Sequence, residues 1–347
     1  MKANYFKYTL QFKQPSGTSR GVLRTKDSYF IQLHFDGKQA IGECGLLRGL
    51  SVDDRPDYEE KLAWVCANIS FGEEKLLEEC TEFPSIQMGI EMLFTSYKAL
   101  QNNRNKFELY PSSFVEGKHG MRINGLIWMG EYAFMKEQIK AKIEVGFSCI
   151  KLKIGAINFE EELNLLKMIR NDFSADEIEL RVDANGAFST TDALEKLKRL
   201  SAYELHSIEQ PIATNQWDEM AELCAKTPLP IALDEELIGI FKTSEREKLL
   251  RHIQPQYIIL KPSLVGGFAA SDEWINLASK LRIGWWITSA LESNIGLNAI
   301  AQYTFLKGNK MPQGLGTGGL YTNNIDSPLV IRGEEIWYDS SIGWGEI

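Results

Sequence analysis

From residue 121 onward the chain repeats one unit: a short apolar strand, a turn and an amphipathic helix. Strands are expected at 121–127, 148–153, 179–183, 205–209, 230–233, 257–260 and 284–288, with a less regular eighth near 312–317. Apolar residues three and four apart mark the helices between them, as in FEEELNLLKMIRN (159–171) and TDALEKLKRLS (191–201). Apolar strands alternating with such helices are the pattern of parallel βαβ units. Seven or eight of them in about 200 residues predict a (β/α)8-type, TIM-like barrel. A doubly wound open sheet is the competing topology, but it rarely carries so many equal repeats.

The first hundred-odd residues have a different rhythm. Segments 4–13 and 27–43 alternate like strands, and helical spacing follows in DYEEKLAWVCANI (57–69) and PSIQMGIEMLFTSYKAL (84–100). Strands followed by helices read as an α+β unit. The last stretch, LVIRGEEIWYDSSIGWGEI, returns to alternation. The expected organisation is therefore an α+β capping domain over 1–118, a barrel over 119–318, and a C-terminal segment, 319–347, that returns to the cap.

Five consecutive barrel strands end on a charged residue: Lys153, Asp183, Glu209, Asp234 and Lys261. Their intervals, by subtraction, are 30, 26, 25 and 27 residues, about one βα unit each. In a barrel this brings the five side by side at the C-terminal rim, where active sites of this fold lie. The strand CIKLKIG (149–155) adds Lys151 on the same face as Lys153. Two buried ammonium groups on one face are costly without partners of opposite charge.

These residue types narrow the chemistry. Three converging carboxylates repel one another unless a cation lies among them. Oxygen ligands from Asp and Glu, without Cys or His, favour Mg²⁺, with Mn²⁺ as a substitute, over zinc. A desolvated lysine beside them is expected to have a lowered pKa and to act as acid or base. Together they suit proton removal α to a carboxylate, with the metal and a second lysine holding the doubly charged enediolate.

The order K-x-K, Asp, Glu, Asp, Lys on successive strands resembles the muconate-lactonizing branch of the enolase superfamily, in which lysine bases and Mg²⁺ stabilise enediolates. The resemblance spans nearly the whole chain. Within the branch, LKPSLVGG (260–267) and TSALESNIG (288–296) are most similar to the o-succinylbenzoate synthase family. The resemblance implies Mg²⁺ on Asp183, Glu209 and Asp234. It implies Lys153 as the proton-transfer lysine in a syn elimination, Lys261 as the cation opposite, and Lys151 as the residue tuning Lys153. The implied activity is that of a hydro-lyase forming o-succinylbenzoate on the route to menaquinone. Asn185 and Glu235 are expected to support the metal site from behind.

A succinyl-bearing carboxylate also needs a pocket. The SGTSRGV and GECGLLRGLS (42–51) stretches are its expected walls, with Arg20 and Arg48 as candidate carboxylate grips. Gly266, Gly267, Ser289 and Ser293 are candidate donors at the rim, and Trp285 and Trp286 are read as packing. An N-succinylamino acid racemase, another acyl-amino-acid racemase or a cycloisomerase could use the same constellation, and a barrel without catalysis is the further alternative. Dipeptide epimerases of the branch carry D-x-D at the eighth strand, which PQGLGTGG lacks. GLGTGG (314–319) matches G-x-G-x-x-G but has no following amphipathic helix, so it reads as a barrel-closing turn.

A net charge of −9 disfavours nucleic acid as a partner. No run of about 18 apolar residues is present to span a membrane. The N-terminus lacks a signal-peptide pattern and the five cysteines are scattered, so a reduced, cytoplasmic protein is expected. The four histidines form no cluster, and nothing in the sequence specifies an oligomeric state.

Overall fold

The computed structural model describes residues 1–18 and 21–347, with side chains of 16–18 left out of the description. An antiparallel sheet opens the chain: β1 (Lys2–Thr18), β2 (Gly21–Phe35) and β3 (Lys38–Cys44), in the order β1-β2-β3. Three helices follow, α1 (Tyr58–Ala67), α2 (Glu73–Glu79) and α3 (Pro84–Gln101). Ile31 and Leu33 of the sheet pack with Leu62, Ile86, Ile90 and Leu93 of the helices in a core of their own. The contact between α3 and β3 is very close. A Cβ at Gly42 would lie 2.0 Å from the Gly89 carbonyl oxygen, so only glycine permits this approach.

The second unit begins with β4 (Met121–Arg122) and β5 (Gly125–Ile127), where a single strand over 121–127 is the sequence expectation. The split reflects two partners, because β4 pairs outside the barrel whereas β5 starts it. Then come α4 (Tyr132–Val145), β6 (Cys149–Lys153), α5 (Phe159–Asp172), β7 (Glu179–Asp183), α6 (Ala193–Ser201), β8 (Ser207–Glu209) and α7 (Trp217–Lys226). The series continues with β9 (Ile231–Leu233), α8 (Thr243–Ile253), β10 (Tyr257–Leu260), α9 (Pro262–Val265), α10 (Gly267–Leu281), β11 (Gly284–Ile287) and α11 (Asn294–Leu306). Strands β5 to β11 form one parallel sheet in sequential order.

No regular eighth strand is present among the described residues. Its place is taken by residues 313–314, which bridge in parallel to Ile123 on one side and Thr288 on the other. The sheet thus curls until its two edges meet, as a TIM-like α/β fold requires. Outward-facing Ile150, Leu152, Val182, Ile208, Leu233 and Leu260 pack in one core with Leu163, Leu166, Leu197, Leu223 and Leu250 of the surrounding helices. The inward face carries the charged residues, with Ala232, Ile259 and Trp286 packed together beside them.

The C-terminal residues tie both units together. Tyr8 Oη donates to the Asn323 carbonyl oxygen (2.7 Å), and Asn323 Nδ2 donates to the Thr9 carbonyl oxygen (2.9 Å). Beyond them, β12 (Leu329–Arg332) and β13 (Glu335–Tyr338) form a hairpin that pairs with β4.

Candidate active site

Parallel register sets Lys153 opposite Asp183 and Asp183 opposite Glu209. Glu209 pairs with Ala232, so Asp234, two residues on, shares its inward parity. Asp183, Glu209 and Asp234 are all at most 2% exposed. Lys151 Nζ donates to Glu209 and lies 3.0 Å from Asp183 Oδ2. Lys153 Nζ donates to Asp183 Oδ2 (2.9 Å) and to Asn185 Oδ1 (2.8 Å). Lys261 Nζ donates to Asp234 and lies 4.0 Å from Glu209 Oε1. The structure therefore brings together all six of these lysines and acids.

Electrostatics within the cluster follows from its pairing. Burial acts to lower the pKa of Lys151, but Asp183 and Glu209 outweigh it and hold the ammonium well above its ordinary value. Lys261 is likewise raised, with Asp234 and Glu209 overcoming desolvation. Paired with carboxylates, these two lysines are firmly cationic. Asp183 is held below its usual range, because Lys151, Lys153 and Lys261 overcome the effect of burial. Glu209 is raised by burial and by Asp183, with Lys151 opposing. Its Oε1 is buried and has no hydrogen-bond partner among the described residues. Among the described residues no three Asp, Glu, His or Cys side chains are grouped as a ready-made metal cage. Each carboxylate of the cluster is paired with a lysine instead.

Asn185 takes a left-handed conformation (φ 45°), which asparagine tolerates better than most side chains. That turn directs its Oδ1 to Lys153, while its Nδ2 donates to Glu235 Oε1 (3.0 Å). Glu235 is buried, and its pKa is raised by burial and by Asp234.

Above the cluster lies a cavity of about 180 Å³ between the two units. The N-terminal unit contributes Leu23, Leu47, Arg48, Gly49 and Leu50 to its wall. The barrel contributes Asn124, Leu126 and Trp128 from the first strand and its flanks, then Lys151, Lys153, Asp183, Asn185 and Lys261. Trp286, Thr288, Ser289, Ala290, Leu291, Gly314, Gly316 and Thr317 complete it. Trp286, read from the sequence as packing, does pack on Ala232 and Ile259 and also forms part of the wall.

Other candidates fare differently. Arg20 lies outside the described residues. Arg48 reaches the wall, but its Nη1 donates to Asp54 Oδ1 (2.7 Å). Ser289 also reaches it, yet its hydroxyl donates to Glu292 Oε2 (2.6 Å). Ser293 does not line the cavity: it caps α11, accepting from Ile295 N–H (3.1 Å), and its hydroxyl donates to Glu43 Oε2 (2.5 Å). Gly266 and Gly267 form the turn between α9 and α10, packed on Gln87 and Glu91 of α3, away from the cavity. Asn124 and Trp128 go unnoticed in the sequence, although inward parity across 124, 126 and 128 marks them. The buried chain Lys26–Ser28–Glu43, with Nζ–Oγ 2.9 Å and Oγ–Oε1 2.8 Å, has no sequence signal at all.

Residues 134–346 match the family model described as enolase C-terminal domain-like. The chain is 46% identical to the o-succinylbenzoate synthase of Desulfotalea psychrophila, over 96% of its own length and 98% of that protein. It belongs to the o-succinylbenzoate synthase family of the enolase superfamily. The crystal structure of MenC from the same organism superposes with a TM-score of 0.80 at 43% identity, covering 97% of this chain and 99% of that one. An epimerase stands further off. The D-Ala-D/L-Ala epimerase of Cytophaga hutchinsonii is 30% identical, over 85% of this chain and 81% of that protein. No helix is long and apolar enough to cross a membrane among the described residues.

Proposed function

We propose that this protein is a Mg²⁺-dependent hydro-lyase. It removes water from a succinyl-bearing hydroxycyclohexadiene carboxylate to give o-succinylbenzoate, a step toward menaquinone. The observation that carries the reading is the placement of Lys153 and Lys261 on the wall of one cavity, with Asp183, Glu209 and Asp234 hydrogen bonded to the lysines. The near-full-length identity to a named synthase supports it.

The donor set suits Mg²⁺ or Mn²⁺: three carboxylates and no sulfur or nitrogen. Glu209 Oε1, without a hydrogen bond among the described residues, is one oxygen that such an ion would satisfy. Asp183, Glu209 and Asp234 would hold it, and as a Lewis acid it would offset negative charge on the substrate carboxylate. Lys153, in its neutral form, takes the α-proton as the C–H bond breaks, and it returns that proton to the hydroxyl leaving from the same face. The C–O bond breaks, a ring double bond forms, and one water departs. Lys261, as ammonium, stabilises the negative charge that develops on the substrate. Lys151 is the fixed cation that keeps Asp183 and Glu209 in place, and Asn185 orients Lys153.

The test is a side-by-side assay of purified protein with Mg²⁺ on the dehydration substrate and on N-succinyl amino acids. Fast dehydration with little racemisation is expected. Racemisation without dehydration would replace this reading with that of an acyl-amino-acid racemase, which two lysines on one cavity also suit. Neither activity would leave a barrel without catalysis.

A further inference from the structure

The proposed substrate carries a succinyl arm whose oxygens need donors. The charged donors on the cavity wall are each ion-paired to a carboxylate of the protein. The three lysines serve Asp183, Glu209 and Asp234, and Arg48 Nη1 serves Asp54. A hydroxyl has a single proton to give. Thr288 Oγ1 gives its proton to the Gly314 carbonyl oxygen (2.9 Å), Ser289 Oγ to Glu292 Oε2 (2.6 Å), and Thr317 Oγ1 to Ser289 Oγ (3.0 Å). The hydroxyl face of the cavity therefore offers no protons, and Ser289 Oγ, which also accepts from Leu291 N–H (3.0 Å), has no lone pair left.

Asn124 is the exception. It lies on the wall and is only 5% exposed. Its backbone N–H donates to the Gln313 carbonyl oxygen (2.9 Å), whereas its side-chain amide has no hydrogen-bond partner among the described residues. A primary amide on a cavity wall brings two donors and an acceptor to a ligand, where an indole N–H such as those of Trp128 and Trp286 brings one donor. Asn124 precedes β5, beside the closing segment 313–314, whereas the catalytic carboxylates lie on β7, β8 and the end of β9. A ligand anchored at those carboxylates would reach Asn124 with its far end.

Resting on the function proposed above, we infer that Asn124 is the specificity residue for the acyl arm: Nδ2 donates to an arm oxygen, and the substrate supplies the partner the fold withholds. Three adjoining hydroxyls keep that wall polar, and none has a proton free for a second anion elsewhere along it.

The test is calorimetry in Mg²⁺ with two ligands, o-succinylbenzoate and 2-propylbenzoate, which lacks the arm oxygens. Asn124→Leu is expected to weaken o-succinylbenzoate about tenfold or more, as for loss of a hydrogen bond to a charged group. Binding of 2-propylbenzoate should stay within about twofold of wild type on the same basis. Asn124→Ser, which restores a donor, should recover part of the difference. In turnover the loss should fall on KM more than on kcat. Equal weakening of both ligands, or of neither, overturns the assignment while the dehydration activity of the wild type stands. Wild-type protein that neither binds o-succinylbenzoate nor dehydrates its precursor overturns the proposed function and this assignment together.

Discussion

Glu43 and Ser293 are 250 residues apart in sequence and doubly hydrogen bonded in the fold. Ser293 N–H donates to Glu43 Oε1 (2.9 Å), and its hydroxyl donates to Oε2 (2.5 Å). Gly296 N–H also donates to Oε2 (2.8 Å). Glu91 of α3 treats α10 the same way, receiving the N–H groups of Phe268 and Ala269. The N-terminal unit thus docks on the barrel through two carboxylates set at the N-termini of successive helices, where unpaired amides and the helix dipole favour negative charge.

Glu43→Ala should therefore unfold more easily, by about 2–4 kcal/mol, since it strands several buried donors at once. Leu47 to Leu50 follow β3 directly and wall the cavity, so KM should rise as well. Urea denaturation and steady-state kinetics check both effects. A variant as stable as wild type would show that the docking carboxylate contributes nothing net.

Lys153→Ala should fold, bind Mg²⁺ and product, and lose on the order of 10³-fold or more in turnover, the scale of a removed general acid–base. Near-normal dehydration by that variant would sink the assignment of proton transfer.

Lys151 neutralises two buried carboxylates, Asp183 and Glu209. Replacing it with Met should cost metal-free protein about 3–5 kcal/mol, the penalty for orphaning buried charge. Saturating Mg²⁺ should recover much of this, and thermal melts with and without the ion provide the comparison. An equal deficit in both conditions would remove the metal from these carboxylates.

Asp53 offers a pH signature away from the cavity. Its Oδ2 accepts from Ser85 N–H (2.9 Å) and hydroxyl (2.7 Å), whereas its Oδ1 is buried without a partner among the described residues. Burial raises the carboxyl from 3.8 to about 6, against the lowering from Ser85. The folded state therefore holds the proton to higher pH than the unfolded state does. The stability this contributes is present in full below pH 3.8 and is lost as pH rises through 6. Relative to Asp53→Asn, wild type should lose about 3 kcal/mol across that window. Parallel pH series of urea midpoints would reveal it, and parallel curves for the two proteins would refute it.

Much of the cluster could be read from the chain because two periodicities coincide: the alternation within strands and the length of one βα unit. Lys151, Lys153, Asp183, Glu209, Asp234 and Lys261 all obey both. Ser293, Gly266 and Gly267 also follow barrel strands, yet they start or turn helices that face the N-terminal unit. Which post-strand residues face a cavity depends on how two units dock, and no local pattern encodes that. The charge state of Lys151 and Lys261 depends on the same assembly. Desolvation can be inferred from one strand, but the number of opposing carboxylates emerges only once three further strands are beside it.

The seam of the barrel has a consequence for how the chain matures. Residue 123 meets residue 313 only after about 190 intervening residues have been made, through an isolated bridge and not a full ladder. During synthesis the parallel sheet must therefore wait with two raw edges, and such edges invite pairing with other chains. The molecule is most exposed to misassembly until residues 313–314 have left the ribosome, and a chaperone that shelters nascent sheets would matter most then.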